Sequence, residues 1–477
     1  MKKLLKLLGL LILILAAVLL FNTFTLSSDQ PAYDAVAPVS VPDQAIDHFR
    51  TAVTFKTVSY TDRSRIDTAE FRKFQAFVRE TYPLVDSLLD RKIFNHTLFY
   101  TWPGTDPKKP GVVLMGHYDV VPVDSSTMDK WEAGPFSGDL IDNKIYGRGT
   151  LDDKINVIAL LETAEMLLSE GFKPGQNIYL SFGHDEEIGG DQGAKQAAEY
   201  LRSLNLPVAF ALDEGGYIAP KELAHTRNQV AFINTAEKGY VSYKLKINTP
   251  GGHSSEPPKD NTIGSLAAAI TRLENNPFPY HMAPLVKTQI EKVAPALDNF
   301  GFRMAAANKW LFGKFILEGM NAHTTLVPTI ISGGVKDNVI PTEASVVVNS
   351  RIMPGETPED VLNHIRKIVK DDRISVEVYM QAGLPTPVSD AGSDSYKLLE
   401  KTILQLMPET TIAPGLLGGG TDSKHYIGIA ENVYRFYPMR IETDCMSCFH
   451  GNNEHISVDN FKGVVQFCYQ LIRNLNE

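Results

Sequence analysis

Four short segments of this chain carry histidine and carboxylate side chains in patterns that could do chemistry together. They are Gly116-His117-Tyr118-Asp119, Asp152-Asp153, His184-Asp185-Glu186-Glu187 and Asp213-Glu214. Each sits just past an apolar run that reads as a buried strand, or in the loop that follows one. In an open α/β sheet the carboxyl ends of the strands are where ligands bind. So many carboxylates at one edge would repel each other strongly without a cation. Imidazole plus carboxylate, with no thiolate among these segments, suits Zn²⁺ or a similar ion. One His-x-Asp alone is more often a hydrogen-bonded loop pair, and one Glu-Glu pair is ordinarily surface charge. Four such segments, each tied to a buried strand, point instead to a metal centre. No nucleophile elbow, Walker loop or dinucleotide glycine motif competes with it.

The elements that must position these residues follow from the hydrophobic pattern. Residues 111–115, 177–182 and 208–212 are short, nearly continuous apolar runs. They alternate with helical stretches at about 153–170, stopped by Gly171, and 192–204. That alternation predicts a largely parallel sheet covered by helices on both faces. A helix should also open near Val41, with Asp43 as its N-cap. Past residue 230 the period changes: Tyr243, Leu245 and Ile247 alternate with Lys244 and Lys246, a strand with one wet face. A helix at 262–274, strands at 325–331 and 344–352, a helix opened by Thr357-Pro358 and a strand from Ile374 complete a β-α-β-β-α-β order. This is the ferredoxin-like split pattern. The fold class expected is therefore α/β, interrupted by an α+β domain. The expected divisions are 43–230 and 384–477 for the main domain and 231–383 for the smaller one, with a mostly helical insertion at 277–323.

The chain has 477 residues, of which 43% are hydrophobic and 21% charged, an ordinary globular composition that excludes a disordered or disulfide-knot protein. Its net charge of −10, with no long basic run, argues against nucleic acid as a partner. Lys2, Lys3 and Lys6 precede an unbroken apolar run from Leu7 to Phe21, the start of a signal peptide or a signal anchor. Bulky Phe21-Asn22-Thr23-Phe24 offers no small-x-small cleavage site and favours an uncleaved membrane anchor over residues 1–28. The body would then lie on the exported side, periplasmic, lumenal or extracellular; secretion after cleavage is the alternative. Residues 29–42 read as a proline-rich tether. Of the three cysteines, Cys445 and Cys448 could close a small disulfide, contribute to a zinc pair or stay as plain thiols.

The segments GHYDVVP (116–122), GRGTLDDK (147–154), HDEEIGG (184–190), LDEGG (212–216), GGHSS (251–255), NVIP (338–341), GGGTDS (418–423) and HGNNE (450–454) occur in an order that resembles the dinuclear zinc exopeptidases related to aminoacylase and glutamate carboxypeptidase. The chain looks closest to the carboxypeptidase S (Gly-Xaa carboxypeptidase) branch, which also includes the N-fatty-acyl-amino acid synthase/hydrolase. The resemblance implies a zinc exopeptidase-like main domain with a lid, and two Zn²⁺ per subunit. His117 and Asp213 would hold one ion, Glu187 and His450 the other, with Asp152 bridging. It further implies that Asp119 orients His117, that Glu186 is the general base, and that the Asp152–Asp153 peptide is cis. His253, from the lid, would stabilise the oxyanion.

For substrate, glycines 418–420 expose backbone N–H groups suited to a carboxylate, which Arg351 could grip bidentately, with Asn338 shaping the same pocket. Asn349-Ser-Arg351 departs from the Asp-x-Arg of many relatives. The activity implied is removal of a C-terminal residue from small peptides by metal-activated water. Hydrolysis or synthesis of N-acyl amino acids is the alternative, and a non-catalytic binding protein on this scaffold is the rival of a different class. Apolar residues of the insertion (Phe278, Trp310, Leu311, Phe312, Phe315, Ile316) could line an acyl channel, although core packing explains them more simply. Relatives that dimerise pair through the lid, so a homodimer is possible here.

Overall fold

The computed structural model describes residues 1–476. After an N-terminal helix, Lys2–Phe24, the main domain opens with helices Asp43–Thr54, Thr68–Thr81 and Pro83–Leu88. Pro42, not Asp43, is the cap of the first of these: Asp43 lies one residue inside, where a carboxylate still favours the helix N-terminus. Strands β1 (Asp90–Phe94) and β2 (Thr97–Trp102) form a hairpin, followed by β3 (Gly111–His117). A small hairpin, β4 (Leu140–Ile141) and β5 (Lys144–Tyr146), turns at Asp142 and Asn143, both with positive φ. This is the pair a two-residue hairpin loop requires. Then come β6 (Ile178–Gly183), β7 (Val208–Asp213), β8 (Tyr217–Ala219) and β9 (Val230–Glu237).

The lid contributes β10 (Gly239–Asn248), β11 (Gly252–His253), β12 (Val327–Gly333), β13 (Val339–Ile340), β14 (Glu343–Ile352) and β15 (Ile374–Gly383). The chain then returns to the main domain with β16 (Thr411–Leu417), β17 (Ala430–Arg435) and β18 (His455–Ser457).

The main sheet runs β1-β2-β6-β3-β7-β17-β9-β16, with β8 paired to β9. Its centre is parallel: β3 pairs with β6 and β7, and β7 with β17, with one register shift at Gly111/Val112. The buried helix Lys154–Ser169 covers one face together with Val458–Asn474, both packed in one large core. Helix Ala194–Ser203 covers the other face over Phe99, Val113 and Ala211. Because β9 belongs to this sheet, the main domain continues to Glu237 rather than stopping at 230. Burial explains the shift: Val230, Ala231 and Ile233 are all in core positions.

The lid sheet is β12-β14-β10-β15, antiparallel throughout, with helices Thr262–Glu274 and Pro358–Val369 on one face. Thr357 and Asp360 form a capping box at the second helix, as the Thr-Pro start indicated. The insertion is helical: Pro284–Val293, Phe300–Ala307 and Lys309–Gly319. The segment read as a free tether is pinned along the body instead. Gln30 exchanges two hydrogen bonds with the backbone of Ile412, Val36 N–H donates to Gln405 O, and Asp29 pairs with Lys292. Cys445 and Cys448 are joined as a disulfide, while Cys468 is free and buried.

Candidate active site

The motif-bearing strands of the main sheet deliver their residues to one edge. β3 ends on His117, β6 leads into His184–Glu187, β7 ends on Asp213, and β16 runs into glycines 418–420. Asp152 arrives just ahead of helix Lys154–Ser169, across a cis peptide to Asp153. His450 comes from the loop before β18.

Asp152 lies between two histidines. His117 Nε2 is 2.9 Å from Asp152 Oδ1, and His450 Nε2 is 2.9 Å from Asp152 Oδ2. Glu187 Oε2 is 3.2 Å from the same His450 nitrogen. Around His117, Glu214 Oε1 stands 3.2 Å from Nε2 and Glu186 Oε2 at 3.9 Å. Two sets of potential ligands therefore share His117: one with Asp152 and Glu187, the other with Glu186 and Glu214. On the far side of the ring, His117 Nδ1 is 3.0 Å from Asp119 O and 3.3 Å from Asp119 Oδ1. Asp119 itself is fully buried and accepts from Ser59 Oγ and from the amides of Glu186 and Glu187. One carboxylate thus fixes both a ring and the turn that carries two further carboxylates.

Asp213 is placed differently from the sequence expectation. Its oxygens accept the amides of Ser423 (2.8 Å) and Glu214 (3.0 Å), and it is not among the groups gathered on His117 Nε2. At the end of β7 successive side chains alternate in direction, and the one that turns into the cavity is Glu214. His253 and Asn338 are also elsewhere. They lie at the small two-stranded β11–β13 sheet, where His253 Nδ1 meets Ser255 Oγ at 2.7 Å and Ser254 N–H donates to Asn338 O. Neither lines the cavity beside Asp152 and His450.

That cavity, about 920 Å³, is bounded by Asp152, Glu186, Glu187, Glu214 and His450 on one wall and by Lys238, Arg351, Gly419 and Gly420 on another. Arg351 stacks 4.3 Å over the Tyr240 ring and donates to Gly418 O at 3.3 Å, so Gly418 holds the arginine while Gly419 and Gly420 face the space. The insertion residues proposed for an acyl channel do not reach it. Phe278 is in the lid core, Ile316 packs in the insertion's own core, and Trp310, Leu311 and Phe315 face outward.

Sequence reasoning gave no role to Glu454, although it stands in the HGNNE motif. Fully buried, its Oε1 accepts the amides of Gly149, Leu151 and Asp152, and its Oε2 pairs with Arg148 at 2.6 Å. It frames the loop that presents Asp152. Its signal was position: a carboxylate four residues past His450 inside a motif whose first residue alone was assigned.

The electrostatics call for positive charge. Burial pushes the carboxyls of Glu186 and Glu187 up, with neighbouring carboxylates adding to the effect, and carries Glu214 up to about 8. Burial opposes a charged His117, but the surrounding carboxylates outweigh it and raise its pKa, and the hydrogen bonds His450 donates to Asp152 and Glu187 lift it to about 10. Glu187 Oε1 is buried without a hydrogen-bond partner. Crowded carboxylates, two imidazoles and an orphaned buried oxygen are what hard or borderline divalent cations satisfy, and the donor set fits Zn²⁺.

The matching family model, described as Peptidase family M20/M25/M40, covers residues 113–474. The chain belongs to this family. Among its relatives, a probable carboxypeptidase S-like 2 from Dictyostelium discoideum is 36% identical over 96% of this chain and 91% of its own. The N-fatty-acyl-amino acid synthase/hydrolase PM20D1.1 of Danio rerio is 35% identical over 97% and 93%. Among solved structures, the M20 family metallo-carboxypeptidase Sso-CP2 from Sulfolobus solfataricus superposes with a TM-score of 0.69 over 91% of this chain and 100% of its own, at 18% identity. The shared fold is an α/β main domain carrying a lid, and the chain is an M20-family hydrolase.

Proposed function

We propose that this M20 protein hydrolyses the amide bond preceding a C-terminal residue bearing a free carboxylate, with two Zn²⁺ held at the Asp152 edge. The observation that carries this reading is Asp152 set between His117 and His450, with Glu186 beside it and Arg351 across the same cavity. Asp152 would be shared by the two ions, with His450 and Glu187 holding one and His117 with Glu214 the other, Glu214 taking the place expected of Asp213. Bound ions supply Lewis acidity that polarises the scissile carbonyl and acidifies water. Glu186 removes the water's proton and later returns it to the leaving amine. Arg351, flattened on Tyr240, presents its free edge to the substrate carboxylate. At Gly419, which faces the cavity, an added Cβ would meet nothing within 4 Å, so packing does not demand glycine there; close approach of substrate to the backbone does.

His253 serves a second copy of the chain. It is exposed and outside its own cavity, and the neighbouring lid edge β12 leaves Val327, Ile330 and Ile331 open for pairing. The Lys2–Phe24 helix, 23 residues long and with its most apolar stretch unburied, anchors the protein in a membrane with its body on the exported side. Hydrolysis of Gly-Leu, set against its C-terminal amide and against a long-chain N-acyl leucine, tests the substrate assignment. Cleavage of Gly-Leu but not of the amide is expected. Cleavage of the N-acyl leucine alone would transfer the assignment to N-acyl amino acids, and no cleavage of any would sink it.

A further inference from the structure

The insertion exposes an apolar surface beside the N-terminal helix. Helices Phe300–Ala307 and Lys309–Gly319 form a hairpin whose outward side chains include Phe300, Phe302, Trp310, Leu311 and Phe315, with Trp310 and Phe315 each 63% exposed. The hairpin is fastened to the last turns of Lys2–Phe24. Asn308, buried between its two helices, donates to Leu19 O at 3.1 Å and accepts from Asn22 Nδ2 at 2.9 Å. The Phe24 and Phe300 rings meet at 5.9 Å, and Leu26 packs in the insertion's core. Just beyond, Asp29 pairs with Lys292 and Gln30 is bound to β16, so the helix leaves the body in a fixed direction.

We infer that this hairpin docks into the headgroup layer of the bilayer that the Lys2–Phe24 helix spans; the inference rests on the anchor proposed above. Depth follows from helix geometry. Leu19 lies five residues before Phe24, about 7 Å along the axis at 1.5 Å per residue. A hairpin bonded to Leu19 at one point and touching Phe24 at another therefore overlaps the end of the span, at the depth where interfacial helices bury their apolar face. Trp and Phe are residues that this layer favours, and Lys314, on the same helix and exposed, has a stem long enough to return its charge to the headgroups, whereas Lys309 is paired with Glu291. A soluble protein would instead leave these rings in water. The bilayer covers them because the anchor delivers it there.

Trp310 reports on the surface directly, since Trp102 and Trp131 are buried (3% and 8% exposed). The full chain is reconstituted in phosphatidylcholine–phosphatidylglycerol vesicles, and the Trp310 signal is taken as the difference from Trp310→Phe. With the chain resistant to alkaline carbonate, most of that signal should be lost to lipids brominated near the headgroup, less to lipids brominated near the chain ends, and little to iodide. Phe315→Asp should restore iodide access without releasing the chain. A retained chain whose Trp310 is quenched by iodide but not by bromolipid would overturn the docking while leaving the anchor. A Trp310 shielded from both quenchers would mean that a second copy covers the hairpin, which also overturns it. Release by carbonate would remove the anchor and the docking together.

Discussion

Glu186 and Glu187, consecutive in the chain, face different histidines: Glu187 Oε2 lies 3.2 Å from His450 Nε2, whereas Glu186 Oε2 lies 3.9 Å from His117 Nε2. Asp119 accepts both of their amides, so the turn cannot roll one residue into the other's place. Under the proposed function, identical chemistry is thereby split into a ligand and a base. Glu186→Gln should keep its metal and fold while kcat falls by about 10²–10⁴-fold, the usual cost of a lost general base. Glu187→Gln should lose part of its metal, and stability with it. Metal analysis beside kcat for both variants separates the roles, and metal loss in Glu186→Gln alone would show them exchanged.

The β7 edge offers a parallel comparison. Glu214→Gln should lower metal content in the folded protein, because Glu214 faces His117. Asp213→Asn should instead lower Tm with metal largely retained, since its amide group would confront one of two N–H donors now satisfied by carboxylate oxygens. Metal analysis of the two folded variants decides, and the reverse pattern would return the ligand role to Asp213.

Much of this architecture was legible in the sequence because it rests on signals that are local. Strands 111–115, 177–182 and 208–212 announced themselves as apolar runs, and Thr357-Pro358 marked a helix start that the capping box realises. What was missed depends on tertiary contacts. Residues from 231 read as the start of the smaller domain, whereas β9 belongs to the main sheet through its parallel pairing with β16. The choice between Asp213 and Glu214 turns on which side chain of an alternating pair enters the cavity, a direction fixed by Ser423 from a distant loop. The pinned 29–42 segment is held by residues some hundreds of positions away, Ile412 and Gln405 among them. Composition alone describes such a stretch only as a linker.

His253 should act across subunits. His253→Ala and Glu186→Gln are each expected to be nearly inactive, the first by the roughly 10²–10³-fold loss typical of one oxyanion donor. Mixed under exchange conditions, they should recover activity, because one heterodimer site combines an intact base with an intact histidine. Absence of recovery in a mixture shown to contain heterodimers would confine His253 to its own chain.

Lys238 gives a pH signature. Burial pulls its pKa down to about 8, although its ammonium donates to Asn321 O and His323 O. Above that value the folded chain has released a proton that the unfolded chain keeps until near the ordinary lysine value. The unfolded state therefore binds more protons in that window, and stability rises with pH there. The Tm difference between wild type and Lys238→Met should shift in favour of wild type as pH is raised from about 8 towards about 10. A difference independent of pH would show that Lys238 holds its proton throughout.

The metal centre itself is tested most directly by titration. The full-length protein is stripped with chelator, its residual metal measured, and Zn²⁺ returned stepwise while Gly-Leu hydrolysis is followed. Two ions at the Asp152 edge predict negligible activity in the stripped protein and a rise that reaches its plateau at two equivalents, with Glu186→Gln binding the same two and staying inactive. Full hydrolysis by the metal-free protein, or an equal rate from Glu186→Gln, would contradict it.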